Sequence, residues 1–395
     1  MCLWPSGVEV VPWELPEPQP GMYFACKRPE CLVRSATPNT GSLDQRGSGC
    51  VRSFAVCETR KLIIAMTLNE VQVWSGGSHR LLLSSVEWRP LQPELEDRAC
   101  HVSWHPTENM FAALRTPSIL RVYRYEYTKR SPPLLPKPSW FRGDTEDDST
   151  EEQVELTLHC AFQIELDKIS GFGKADSLFT LRDEIFVSST TGVVCRLSWS
   201  CTIRQTLPFP TGRILHCHVM GTTYAIIFVD DKGNAGLFHC PEEMHDVKAE
   251  GVHFFHTGGH VCCASASTNT FQAAVGTIGG DIFIYAINVT RQPKIAPTFS
   301  SSLFATIRFG PDMHNGELSR QVSSLAWSPD DAVLASGYLE MGFCLWSPAG
   351  CRVSSALPQD GKRSNIACGG VRAMAWVAGG SFLLVSSETT QYSAL

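Results

Sequence analysis

The feature that most constrains this chain is a unit that recurs along it. A short apolar segment, often ending in Trp, is followed by a polar turn, an apolar run with small residues, a second turn and an alternating segment. The clearest copy joins Val322-Ser323-Ser324-Leu325-Ala326-Trp327 to Val333-Leu334-Ala335-Ser336-Gly337 and Phe343-Cys344-Leu345-Trp346. Another joins Val102-Ser103-Trp104 to Met110-Phe111-Ala112-Ala113-Leu114 and Ile119-Leu120-Arg121-Val122-Tyr123. Weaker copies pair Leu62–Met66 with Val71–Ser75, Ile185–Ser189 with Val193–Leu197, Tyr224–Val229 with Gly236–Phe238, and Phe271–Val275 with Ile282–Tyr285. A last copy, Val371–Trp376 with Phe382–Ser387, brings the number to seven. A unit this short cannot hide its own apolar sides, so neighbouring copies must stack and bury a shared core.

Within the unit, the continuous apolar runs have the pattern of strands buried on both faces, and the alternating segment that of an outer strand with one wetter face. Thr190-Thr191-Gly192, Asp231-Lys232-Gly233-Asn234 and Gly279-Gly280-Asp281 supply the glycine and Asn/Asp chemistry of tight hairpins. A propeller blade takes roughly 40 to 50 residues, and rings use about four to eight of them. The repeat therefore predicts an all-β fold, a β-propeller of WD-repeat-like four-stranded blades over residues 22–395, with seven blades, or six on the uneven spacing. Residues 1–21, rich in Pro and Trp without periodicity, read as a flexible leader. Residues 131–152, with Pro132, Pro133, Pro136 and Pro138 ahead of an acidic run, read as a long solvated loop between blades.

Composition narrows the function classes. The net charge of −6, without Lys or Arg interleaved with stacking aromatics, offers nothing for a phosphate backbone, so nucleic acid is not an expected partner. Met1-Cys2-Leu3-Trp4-Pro5 lacks a basic n-region, and the following prolines exclude an apolar signal core, which points to the cytosol. No apolar run approaches the roughly eighteen residues that span a bilayer, so membrane contact is expected to be peripheral. The sixteen cysteines are scattered, several inside strands as Cys195, Cys240 and Cys344 are, and read as free thiols. Asn288-Val289-Thr290 is then a chance sequon.

The search for chemistry returns little. His253-Phe254-Phe255-His256-Thr257-Gly258-Gly259-His260 ahead of Cys262-Cys263 lacks the second Cys or His pair that zinc sites show, and reads as a connection between blades. His216-Cys217-His218 alternates along a strand, with both histidines on one face and the thiol on the other. There is no phosphate-binding loop, Gly171-Phe172-Gly173 lacks a third glycine, and no Gly-x-Ser-x-Gly elbow occurs. Trp74, Trp104, Trp199, Trp327, Trp346 and Trp376 recur at equivalent repeat positions and read as blade-packing aromatics. No catalytic, cofactor-binding or metal-binding residue is assigned, and no cofactor is expected. A propeller enzyme would need His, Asp or Glu on the innermost strands of several blades, where the sequence shows mostly Val, Ala, Ser and Gly.

Val71-Gln72-Val73-Trp74-Ser75-Gly76, Val86-Glu87-Trp88-Arg89-Pro90 and, above all, Leu325-Ala326-Trp327-Ser328-Pro329-Asp330-Asp331 through Phe343–Cys351 resemble the amino-terminal propeller of the Ric-one family. Met22-Tyr23-Phe24 resembles that family's first residues, and Val371–Trp376 stands where its final blade resumes. From about residue 131 to 321 the likeness is of blade pattern more than of motif. The resemblance implies a subunit of a guanine nucleotide exchange factor. In that complex a Ric-one subunit and an Rgp-one partner activate a Rab-type GTPase on Golgi membranes, in retrograde transport from endosomes. It also implies a cytosolic chain held peripherally at the Golgi through its partners, here without the family's helical carboxy-terminal region. The alternative is a generic WD-repeat-like adaptor, against which stands Trp-Ser in place of Trp-Asp at Trp74-Ser75, Trp199-Ser200 and Trp346-Ser347.

Overall fold

Every apolar run of the repeat becomes the second strand of an antiparallel sheet, and its alternate residues enter two different cores. The computed structural model describes residues 8–12, 51–67, 70–75, 82–88, 100–115, 119–130, 153–181, 183–209, 211–220, 225–239, 252–267, 269–292, 295–308, 319–356, 370–377, 379–380 and 382–388. After β1 (Val8–Pro12), the first blade is β2 (Ser53–Cys57), β3 (Leu62–Met66), β4 (Glu70–Ser75) and β5 (Leu82–Glu87). The second is β6 (Cys100–Trp104), β7 (Met110–Arg115), β8 (Ile119–Arg130) and β9 (Gln153–Glu165). The third is β10 (Ala175–Leu181), β11 (Glu184–Ser189), β12 (Val193–Leu197) and β13 (Ile203–Pro208). The fourth is β14 (Ile214–Met220), β15 (Ala225–Asp230), β16 (Ala235–His239) and β17 (Val252–Phe254). The fifth is β18 (Val261–Ala266), β19 (Gln272–Thr277), β20 (Ile282–Gln292) and β21 (Ile295–Ile307). The sixth is β22 (Val322–Trp327), β23 (Leu334–Tyr338), β24 (Gly342–Trp346) and β25 (Arg352–Ala356). In the last sheet β26 (Gly370–Val377) pairs with β27 (Phe382–Glu388), and β27 with β1, which gives three strands among the described residues.

The innermost strands meet in the order β2, β6, β10, β14, β18, β22, β26 and back to β2, so the sheets close a ring, as the repeat predicts. The core is accordingly divided among the blade interfaces. Leu62, Ile64 and Met66 of β3 join Phe111 and Ala113 of β7, whereas Ile63 and Ala65 join Val377 and Leu384 of the last blade. On β7 itself, Met110, Ala112 and Leu114 turn the other way, to Ile185 and Val187 of β11. That division is why these runs are apolar at every position.

Successive antiparallel strands put the first-to-second and third-to-fourth links on one face of the ring, and the second-to-third turns and blade-to-blade links on the other. The second-to-third turns hold Gly192, Gly233, Gly280 and Gly342 at φ of 76°, 77°, 93° and 81°. At Gly233 a Cβ would lie 2.2 Å from the imidazole of His260 in the following blade-to-blade link, so that turn admits glycine alone.

Four expectations need correction. Part of the leader is structural, because Val8–Pro12 pairs antiparallel with β27, Val8 opposite Ser386 and Pro12 opposite Phe382. Residues 131–152 lie outside the described residues, but their flanking strands β8 and β9 are hydrogen-bonded neighbours, so the segment links two strands of one blade and does not run between blades. The alternating segment of the repeat is the third strand and is mostly buried, as β24 is throughout, since the true outer strand lies beyond it and covers it. The tryptophans occupy two repeat positions instead of one. Trp104 and Trp327 close innermost strands and Trp376 is next to last on another, Trp74 and Trp346 lie on third strands, and Trp199 follows one. All six are buried.

Candidate protein-interaction surface

The inner ring is sewn by side chains that bond the free main-chain edge of a neighbouring blade. Trp104 Nε1 donates to the Ala55 carbonyl at 2.9 Å and Trp376 Nε1 to that of Ala326 at 3.0 Å, each reaching back one blade. Ser323 Oγ donates forward to the Val371 carbonyl at 2.6 Å, and Ser103 and Thr180 share a bond of 2.7 Å. On the third strands Trp346 Nε1 donates to Ser336 Oγ at 2.7 Å and Trp74 Nε1 to Gln72 Oε1 at 3.1 Å, so each indole is satisfied inside its own blade.

Ionisable groups do stand on the innermost strands, contrary to the sequence expectation. His101 of β6 is hydrogen-bonded to the main chain of Asp176 on β10, and burial together with the nearby His216 lowers its pKa to about 4. His216 Nε2 lies 2.8 Å from the Ala264 carbonyl, which fixes its proton on Nε2. Burial likewise lowers His216, and burial with the His216 charge takes His218 to about 4. Asp176 accepts both Nε (2.6 Å) and a terminal nitrogen (3.0 Å) of Arg213. The intervening Cys217 faces the opposite side, in the cluster of Phe179, Phe186 and Phe238, and burial pushes its thiol up to about 12. A neutral imidazole bound to a carbonyl and a carboxylate clamped by a guanidinium hold blades together, and no nucleophile stands beside a base here. The signal for this row was the polar alternation His101-Val102-Ser103, which the apolar-run template passed over.

The face bearing the first-to-second turns is laced in a similar way. Arg60 donates to the His105 carbonyl at 2.9 Å. His105 Nδ1 accepts the amides of Thr107 and Glu108, which leaves the proton on Nε2, 2.9 Å from Asp183 of the third blade. Asp331 accepts the amides of Asn269 and Thr270 at 2.6 and 2.8 Å, joining the fifth and sixth blades.

The opposite face carries a depression of about 680 Å³ between the fourth and fifth blades. Its walls are the turn with Lys232 and Asn234 and the link from Phe254 to His260, the segment that the sequence singles out for its histidines. Asp230 holds the turn by accepting the amides of Lys232 (3.0 Å) and Asn234 (2.8 Å) and the Asn234 side chain (2.9 Å). The link is pinned by Phe255, stacked on Tyr285 at 4.7 Å, and by the Tyr285 hydroxyl, which donates to the His256 carbonyl at 2.8 Å. Lys232, Asn234, Phe254, His256 and His260 are left exposed. His253 is turned away and bonds Ser301 at 2.8 Å. Among the described residues no three His, Cys, Asp or Glu side chains converge on a metal position. A rigid rim with one ammonium, two imidazoles and a phenyl ring is suited to grip a protein segment.

No family model matches the chain, and no curated protein does. Solved propellers do. The chain is similar to Hsv2 of Kluyveromyces lactis, at 11% identity over 85% of this chain and 90% of that one, with a TM-score of 0.52. It is similar to the Hsv2 of Kluyvelomyces marxianus, at 12% over 85% and 88% with a TM-score of 0.50. It is also similar to Chaetomium thermophilum Sqt1, bound in that structure to the N-terminus of ribosomal protein L10, at 12% over 83% and 78% with a TM-score of 0.50. At such identity the likeness is one of fold, and the fold common to all of them is the β-propeller.

Proposed function

We propose that this chain is the protein-binding scaffold subunit of a guanine nucleotide exchange factor. It assembles with an Rgp-one-like partner and activates a Rab-type GTPase at Golgi membranes in retrograde transport from endosomes. The observation that carries the reading is that the stretch most like the Ric-one family, Leu325–Cys351, coincides with a single blade, from within β22 to the edge of β25. Exchange factors act by binding the nucleotide-free GTPase better than the loaded one, so their working part is a shaped surface. A ring whose innermost strands carry polar groups that tie blades together, and whose rim between the fourth and fifth blades is exposed, supports such a role. That the Sqt1 propeller holds a protein terminus agrees with this use of the fold. The chain itself is placed in the cytosol and reaches the Golgi surface through its partners.

The test is co-purification of the full chain with an Rgp-one-like subunit and a Golgi Rab protein, followed by release of fluorescent GDP from that Rab. Capture of both and faster release on assembly are expected. Lys232→Glu with His260→Glu is expected to weaken capture while leaving the melting temperature in place. Capture of neither partner leaves the generic WD-repeat-like adaptor as the reading.

A further inference from the structure

The two most exposed large apolar side chains among the described residues are neighbours on one strand, Leu303 (55%) and Phe304 (53%) of β21. A bulge places them there. Tyr285 faces Leu303 and Ile284 faces Ala305, so Phe304 has no partner residue on β20.

β21 differs from most of the other outer strands in what its central and last residues lack. β5 carries Glu87, β9 carries Glu155 and Glu165, β13 carries Arg204 and Pro208, β25 carries Arg352, and β1 carries Glu9 and Pro12. β17 is only three residues long. Charges, prolines and shortness are the devices by which edge strands avoid pairing with other chains. β21 is thirteen residues long, and from Thr298 to Ile307 it has neither a charge nor a proline. Thr298–Leu303 keeps regular register with Thr290–Tyr285, and among the described residues its main chain makes no bond outside that pairing.

We infer that β21 pairs with β21 of a second copy of this chain, antiparallel about a two-fold axis at Ser301. Such an interface presents the same surface from both sides, so it must be compatible with itself. A strand bearing a charge near the axis opposes like to like, which the uncharged run from Thr298 to Ile307 avoids. Centring on Ser301 places the small Ser300 and Ser302 opposite each other, where two backbones approach most closely. It also sets Phe299 opposite Leu303 on both sides of the axis, an aromatic–aliphatic pair of the kind that stabilises sheets.

The mass of the full chain in solution tests this, by sedimentation and light scattering. A species of twice 43.5 kDa is expected. Ser300→Lys with Ser302→Lys puts ammoniums across the axis and is expected to return the monomer with its circular dichroism and melting profile intact below the dimer concentration. Residues directly opposite in antiparallel strands have Cα atoms about 4.5 to 5.5 Å apart, within reach of a disulfide. Ser301→Cys is therefore expected to give a peptide linked between the two 301 positions on mild oxidation, and Thr306→Cys to give none at 306. A wild-type chain that is monomeric throughout, whether or not another protein's strand occupies β21, overturns the inference. So does a dimer indifferent to the lysines, or a dimer without the 301 cross-link.

Discussion

The inner and outer strands of this ring are built under different constraints. The seven innermost strands run five to eight residues, and each is tied to a neighbour by contacts or side-chain bonds such as Trp104 to Ala55 and Ser323 to Val371. The outer strands run from three residues in β17 to thirteen in β9 and β21. An innermost strand must fit the blades on both sides for the ring to close, so a change there is felt across two interfaces. An outer strand answers to one hydrogen-bonded neighbour, and its length and chemistry are free to vary. Stability therefore resides at the centre, and the circumference is free to vary.

The sharpest way to break that contrast is at Gly337 of β23. A Cβ there would stand 2.5 Å from Cγ1 and 2.8 Å from Cβ of Val371, the second residue of β26 in the next blade, and Gly276 meets Val322 in the same manner. Gly337→Val is expected to destabilise by about 3 kcal/mol, the upper part of the overpacking range. Urea denaturation reads it, and an unchanged midpoint would show that the blades are not nested valine against glycine. Next in size is Trp104→Phe, which removes the bond to the Ala55 carbonyl and part of a buried ring, for an expected loss of about 2 kcal/mol.

How much of this was legible follows from the same contrast. The second and third strands were readable because burial on both faces leaves continuous apolar runs, as in Leu62–Met66 and Ala225–Val229. Gly192, Gly233 and Gly280 marked their turns, since a left-handed backbone there favours glycine. The outer strands were missed because a partly exposed edge such as Ile203–Pro208 has no periodicity to detect. β1 was missed because its partner, β27, lies at the other end of the chain, and no local pattern announces a pairing of that span. His216 and His218 were legible as an alternating pair on one strand face, with Cys217 on the other, whereas His101 and Asp176 escaped because their neighbours in the next blade are visible only in three dimensions. The His253–His260 segment was found by its composition, but its use as a rim wall, with His253 turned aside to Ser301, was not.

That row makes the centre sensitive to acid. His101 and His218 titrate near 4 in the folded chain against an ordinary 6.5, chiefly through burial. Between those values the unfolded chain binds protons that the folded chain refuses. The stabilisation is thus complete above pH 6.5, falls as the pH drops through the window, and levels off below about 4. A loss on the order of 1 to 2 kcal/mol across it is expected, because His101 and His218 are half-buried and water screens part of the effect. The melting temperature followed from pH 7 to 4 reads the effect, and His101→Gln should flatten the slope. An equal slope in that variant would place the acid sensitivity elsewhere.

The smallest expected effect is the most direct check of the contrast, because one kind of deletion can be made at both radii. Val371, at the start of β26, is 1% exposed and packs on Gly337, whereas Ile203, at the start of β13, is 41% exposed. Val371→Ala opens a void between two blades that neither backbone can close, and about 1 to 2 kcal/mol should be lost. Ile203→Ala removes more carbon but only from water, and the change should stay within about 0.5 kcal/mol. Thermal or urea unfolding of the two variants side by side gives the ratio. Equal losses would mean that β13 is packed as tightly as the inner ring, and the division between a structural centre and a permissive circumference would fail at the third blade.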